Sequence, residues 1–149
     1  MQAAGSVKPL LISACLLGTP CRYDGQSKPV AAVQRLKEKY LLIPICPECL
    51  GGLSTPREPC EITGGLVRAR SGRDCTKEYK AGAAAVLALA KQNGCTLALL
   101  KARSPSCGAG EVYDGSFTKT LVPGNGVTAE LLLENGIRVF NETQLDALL

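Results

Sequence analysis

The chain contains no histidine. That excludes a Ser-His-Asp triad, a Cys-His nucleophile pair and every zinc site that takes an imidazole ligand. Aromatic residues are scarce, at 4% of 149 residues, so the core must be built from Leu, Val, Ile and Ala. The 46% hydrophobic content supplies enough of these for one domain. No apolar run approaches the roughly 20 residues that a membrane helix requires, so no membrane partner is expected. A strong excess of one charge is also missing. A net charge of +4 permits an anionic partner but lacks the scale of a dedicated nucleic-acid binder.

Cysteine, by contrast, is abundant, with eight residues. A secreted domain would use them as disulfides, whereas a cytosolic one binds metal or does redox chemistry. Ile12-Ser-Ala-Cys15 matches the tetrapeptide cleaved in bacterial lipoproteins. Only Pro9, Leu10 and Leu11 precede it, however, against the roughly 7–15 apolar residues of a signal. The expected compartment is the cytoplasm.

Strands and helices alternate along the chain. Residues 1–7 read as a short disordered start. Apolar runs predict strands over Pro9–Ala14, Leu41–Ile45, Thr96–Leu100 and Ile137–Phe140. Helical spacing of Val30, Val33, Leu36 and Tyr40 predicts a helix in which Pro29 suits the first turn. The Ala-rich segment Thr76–Asn93 predicts a helix capped by Gly94 and, being apolar almost all round, well buried. A further helix spans Val127–Glu134, closed by Asn135-Gly136, and Asn141 with Gln144 forms a capping box for a last helix to Leu149. Gly64-Gly65 and Asp114-Gly115 mark two hairpins. The expected fold is α/β: one Rossmann-like three-layer α/β/α domain over residues 1–149, with a mostly parallel sheet of four or five strands. The long segment Cys46–Asp74 after the second strand is expected to be functional.

Three cysteines follow three of these strands: Cys15 after the first, Cys46 after the second, and Cys107 in the loop Lys101-Ala-Arg-Ser-Pro-Ser-Cys-Gly108 after the third. Carboxyl ends of parallel strands converge on the ligand-binding crevice of such sheets, so the three thiols are candidates for one metal site. Cys46-Pro-Glu-Cys49 is the only C-x-x-C. It would suit a redox dithiol if a helix started there, but Gly51-Gly52 follows at once, and no good helix is expected. Cys60, Cys75 and Cys95 read as small core hydrophobes. Cys21 shares a loop with Cys15 and stays ambiguous.

Ser13-Ala-Cys-Leu-Leu-Gly, Cys21-Arg-Tyr-Asp-Gly, Cys46-Pro-Glu with Gly51-Gly-Leu and Thr55-Pro-Arg, and Arg103-Ser-Pro-Ser-Cys-Gly resemble the signature blocks of the thiouracil desulfurase family of bacterial iron–sulfur proteins. The resemblance continues through Gly126-Val-Thr-Ala and Gly136-Ile-Arg-Val-Phe. It implies a [4Fe-4S] cluster held by Cys15, Cys46 and Cys107, with the fourth iron open to bind the sulfur of a thiolated pyrimidine or a related thioamide, which water then replaces without net redox change. Cys49 is a rival ligand. With no histidine to move protons, a carboxylate must do so. Glu48 is the candidate general acid/base, against a plain loop glutamate, and Ser104 the hydrogen-bond donor at the same carbon, against a turn-former beside Pro105. Loop amides around Ser106 and Gly108 are candidates to face the cluster. Tyr23 and Asp24 either line the substrate pocket or form an ordinary turn. Arg57, Arg68, Arg70 and Arg73 either are solvated or meet an anionic substrate or nucleic acid. Two alternatives stay open: a non-catalytic zinc or iron–sulfur module, and a Cys46/Cys49 thiol-disulfide protein.

Overall fold

A computed structural model describes residues 7–26 and 30–149. The expected disordered start falls mostly outside these residues, as does Pro29; Val7 is exposed. Strand β1 (Lys8–Ser13) runs into a 3-10 turn, Ala14–Leu17. The segment Ala31–Glu38 is a 3-10 helix that buries Val33 and Leu36. A three-residue interval between buried positions fits three residues per turn, and Tyr40, expected in the helix, instead opens β2 (Tyr40–Ile45).

A one-turn helix, α1 (Pro47–Leu50), follows with Cys46 as its N-terminal cap residue. This corrects the expectation that no helix starts at the C-x-x-C, and the reason is tertiary. A Cβ at Gly51 would overlap the Glu78 carbonyl oxygen, and one at Gly82 would overlap the Pro47 carbonyl oxygen. The glycines that looked like helix breakers let this turn lie flush against a neighbouring helix. The rest of the long segment folds into the antiparallel hairpin β3 (Cys60–Thr63) and β4 (Leu66–Ala69), turning at Gly64-Gly65 as expected.

Helix α2 (Thr76–Asn93) has the expected span, and Gly94 caps it in the left-handed conformation. Its burial is one-sided: Tyr79, Ala83, Val86 and Ala90 are buried, while Ala81, Ala84 and Ala88 are exposed. Alanine is the best helix former and needs no core to occupy an outer face. Strand β5 (Leu97–Leu100) leads to the Ser-Pro-Ser-Cys loop. The second hairpin pairs β6 (Glu111–Tyr113) with β7 (Leu121–Pro123), so its connection runs from 114 to 120 and is wider than a tight turn at Asp114-Gly115. Helix α3 (Val127–Glu134) and β8 (Arg138–Asn141) follow. The last helix has the expected capping box but is 3-10, Glu142–Ala147, interrupted by a non-helical Gln144.

The main sheet is parallel, in the order β2-β1-β5-β8. One face packs Leu11, Ala98 and Leu100 against Val86, Ala90, Ala129 and Leu132 of α2 and α3. The other packs Leu10, Ile12 and Leu99 against Val33, Leu36, Leu145 and Leu148. The three layers are therefore α/β/α in outline, with 3-10 helices forming the second outer layer. None of the described helices is long and apolar enough to cross a membrane.

Candidate functional site

The carboxyl ends of β1, β2 and β5 lie side by side, because β1 pairs with both of the others. Cys15 sits one turn past β1, Cys46 directly after β2, and Cys107 in the loop after β5. All three line one cavity of about 400 Å³, as do Cys21, Glu48 and Ser104. The Ser13 hydroxyl stitches the strand ends together. It accepts the Lys101 amide at 2.9 Å and donates to Cys107 Sγ at 3.6 Å.

All eight cysteines are free thiols. Burial pushes the Cys107 thiol up to about 12. Cys46 is raised by its bond with the Cys21 thiol and then by burial. Cys21 is pushed up to about 11, first by its bond with Cys15. Cys15 alone is lowered, chiefly because Cys21 hydrogen-bonds to it, with help from the charges of Lys101 and Arg22. A redox dithiol needs a depressed thiol at the start of its helix; Cys46 is shifted the opposite way. Cys49, the rival ligand, is exposed, lies off the cavity wall and contacts Thr55 Oγ1 at 3.5 Å. Cys21 is on the wall, between Cys15 and Cys46.

No three His, Cys, Asp or Glu side chains among the described residues close around a single metal ion. The thiols instead ring a cavity, an arrangement suited to a larger thiophilic group whose irons each take one thiolate. The donor set therefore fits an iron–sulfur cluster.

Glu48 is far from solvated. Its Oε2 accepts Arg57 Nε and Nη2, both at 3.2 Å, and the Tyr79 hydroxyl at 3.0 Å. Arg57 is not a surface charge either: its side chain is 6% exposed, against 15% for Glu48. It also donates to the Cys21 and Ser54 carbonyls and to Thr55 Oγ1, while its amide donates to the Tyr23 carbonyl at 2.6 Å. One residue thus ties the Cys21–Tyr23 loop to α1. Of the other three arginines, Arg73 pairs with Glu78 at the surface, Arg68 lies on β4, and Arg70 reaches the cavity wall.

Ser104 Oγ accepts the amides of Ser106 and Cys107, both at 3.0 Å, and its carbonyl accepts the Gly108 amide at 2.8 Å. The loop amides expected to face the cavity are consumed within the loop. The Ser104 hydroxyl hydrogen is left to donate. Tyr23 lines the cavity; Asp24 does not, and its carboxylate caps its own turn through the Gln26 amide at 3.0 Å. Cys60 and Cys75 pack with Tyr79 beneath the first hairpin, and Cys95 lies in the core, as expected, but Cys60 also lines the cavity.

Sequence reasoning missed several wall residues. Beside the expected Tyr23, three more of the six aromatic side chains, Tyr79, Tyr113 and Phe117, line this cavity. Arg22, Arg70, Arg103 and Lys119 also line it, and none forms a salt bridge among the described residues, so its mouth is cationic. The Thr55-Pro-Arg57 block was the available signal for Arg57; Tyr79 had none, since it sits on the apolar face of a helix.

The comparisons agree with this architecture. A protein of Bacillus subtilis, YbbK, itself described as uncharacterized, is 41% identical over 150 residues, covering 94% of this chain and 99% of its own. The solved structure of TudS, a [4Fe-4S]-dependent thiouracil desulfidase, is 45% identical and matches with a TM-score of 0.90 over 95% of both chains. The family described as 2-thiouracil desulfurase matches residues 10–144, and the chain belongs to that family.

Proposed function

We propose that this protein removes sulfur from a thiolated pyrimidine, using a [4Fe-4S] cluster held by Cys15, Cys46 and Cys107. The observation that carries the proposal is the meeting of these three thiols, delivered by three adjacent strand ends, in a cavity that also holds Glu48 and Ser104. When bound, such a cluster supplies an iron without a protein ligand, a Lewis acid suited to thiocarbonyl sulfur. The reaction is a hydrolysis: water adds its oxygen to the C=S carbon, and both its protons leave with sulfur as hydrogen sulfide. An iron exposed in this way calls for a reducing compartment, in keeping with the cytoplasm.

The protein's own part is proton transfer and orientation. All three donors to Glu48 converge on Oε2, which leaves Oε1 to take a proton from the attacking water and return it to the departing sulfur. The Ser104 hydroxyl, its oxygen fixed by two amides, donates a hydrogen bond to the oxygen forming at the same carbon. Tyr23 contributes to the substrate wall. A non-catalytic metal module would have no use for a buried carboxylate oriented in this way.

The test is iron and acid-labile sulfide on anaerobically reconstituted protein. Cys15→Ala, Cys46→Ala and Cys107→Ala lose the cluster, while Cys49→Ala retains it. Glu48→Gln and Ser104→Ala keep wild-type iron and lose turnover of 2-thiouracil. A wild-type protein that binds no iron would sink the cluster, and full activity in both Glu48→Gln and Ser104→Ala would sink the assigned roles.

A further inference from the structure

Every non-glycine residue with a left-handed backbone among the described residues, Arg103 (φ 67), Phe117 (φ 61) and Lys119 (φ 61), lines the same cavity. Two of them lie in the 114–120 connection of the second hairpin. Side chains larger than glycine tolerate this region poorly, and such conformations persist only where the surroundings over-determine them. Here the surroundings do so. Glu61 on β3 is 9% exposed and spends one carboxylate oxygen, Oε1, on the amides of Gly115 at 2.9 Å and Phe117 at 3.1 Å. Asp114 Oδ1 accepts the Ser116 amide at 2.9 Å, and Thr118 bonds Thr120 at 2.8 Å. Gly115 (φ 97) lets the loop press on the first hairpin, since a Cβ there would come within 2.6 Å of Thr63 Cβ.

What this bracing presents is an aromatic ring. Phe117 belongs to none of the three buried apolar clusters, although the chain has only two phenylalanines. It stays half-buried on the cavity wall, with the Arg70 guanidinium over its ring, 5.5 Å from the centroid. Glu61, itself on the cavity wall and salt-bridged to no cation among the described residues, thus holds the segment that presents this ring to the cavity the thiols share. Planar rings stack on such faces.

We infer that Phe117 is the platform on which the substrate's pyrimidine ring stacks, and that Glu61 is the positioning residue that holds it there. The inference rests on the desulfurase reading above and adds the group that selects a flat aromatic ring over an open-chain thioamide. Phe117 carries no charge and forms no bond to the reacting atoms, so its effect falls on binding rather than on the chemical step.

The experiment is steady-state kinetics on reconstituted protein with 2-thiouracil, with uracil as competitive inhibitor and iron content as a control. Phe117→Leu raises KM for 2-thiouracil and Ki for uracil about tenfold each, with kcat and iron near wild type, whereas Phe117→Tyr keeps the wild-type constants. Glu61→Ala raises KM in the same way, and Glu61→Gln, which retains a carbonyl oxygen for the two amides, restores it. An unchanged KM and Ki in Phe117→Leu overturns the platform alone. Absence of any 2-thiouracil turnover in wild type overturns the desulfurase reading, and the platform with it. If Phe117→Leu does not fold, Phe117→Met makes the same comparison, and failure of both to fold or to hold iron means that the ring is structural and overturns the inference.

Discussion

Replacing Arg57 with leucine removes a guanidinium that is only 6% exposed and leaves the Glu48 carboxylate, 15% exposed, with the Tyr79 hydroxyl as its remaining donor. The side-chain bonds of Arg57 to the Cys21 and Ser54 carbonyls and to Thr55 go with it. Burial works against the Arg57 charge, but Glu48 and Cys46 outweigh it and hold the pKa above its ordinary value, so the guanidinium keeps its charge. Breaking a buried pair from one side costs about 3–5 kcal/mol, because the other charge stays behind. An exposed pair would cost roughly 0–1 kcal/mol. Tyr79→Phe deletes one hydrogen bond to the same carboxylate, worth about 1.5–3 kcal/mol. Domains of this kind have about 5–15 kcal/mol in total, so Arg57→Leu takes a large fraction of it. The assay is urea unfolding of the cofactor-free protein under reducing conditions at neutral pH, with Arg57→Leu, Glu48→Gln and the double variant closing a cycle. The double variant should lose less than the sum of the singles by about 1–3 kcal/mol, since neither charge is then stranded. An Arg57→Leu cost below about 1 kcal/mol, or strict additivity, would refute the buried-pair reasoning.

Four further outcomes follow from the geometry. Glu142 bonds Lys101 at 2.9 Å and the Ala102 amide at 2.8 Å; burial works to raise its pKa, but these partners outweigh it and hold the carboxyl below its ordinary value. Its stabilisation is therefore fully present above the unfolded glutamate pKa of about 4.3 and is lost as pH falls through the lower folded value. Urea midpoints between pH 6 and pH 3 (chosen conditions) should flatten over that window in Glu142→Gln, and an unchanged slope would count against the pair. Gly82→Ala forces α2 away from the Pro47 carbonyl and should cost about 1–3 kcal/mol, together with weaker iron retention, read by denaturation and metal analysis. The cationic mouth built from Arg22, Arg70, Arg103 and Lys119 predicts that added salt raises KM for a phosphate-bearing thiopyrimidine and leaves the free base unaffected; equal salt responses would refute it. Cys21→Ser removes the thiol that lowers Cys15 and should slow reconstitution without lowering the final iron content, followed by absorbance during loading.

Much of this architecture was legible because it is local. Apolar runs marked all four strands of the main sheet, Gly94 closed α2, and Gly64-Gly65 turned a hairpin. The three cysteines after three strands were legible for the same reason: parallel strands point the same way, so residues after them share one end of the sheet. What stayed hidden depends on contacts between distant segments. Gly51 looked like a helix breaker until Gly82 supplied the surface it docks on. Arg57 looked solvated because nothing near it in sequence shows that Glu48 and Tyr79 converge with it. The 3-10 character of Ala31–Glu38 is a matter of packing, since its apolar spacing also fits an α-helix.

The position of β1, between β2 and β5, bears on when the proposed cluster can be loaded. The three thiols belong to segments that meet only after β1 has paired with β2 on one side and, across the intervening hairpin and helix, with β5 on the other. Ferredoxin-type runs gather their cysteines within a few turns of chain, so a fragment can capture iron early. Here a nascent chain still lacking β5 holds Cys15 and Cys46 but not Cys107, the last of the three proposed ligands. With the ligand set proposed above, loading of the cluster would follow synthesis through Cys107 and closure of the sheet, on a folded and reduced cavity rather than on the emerging polypeptide.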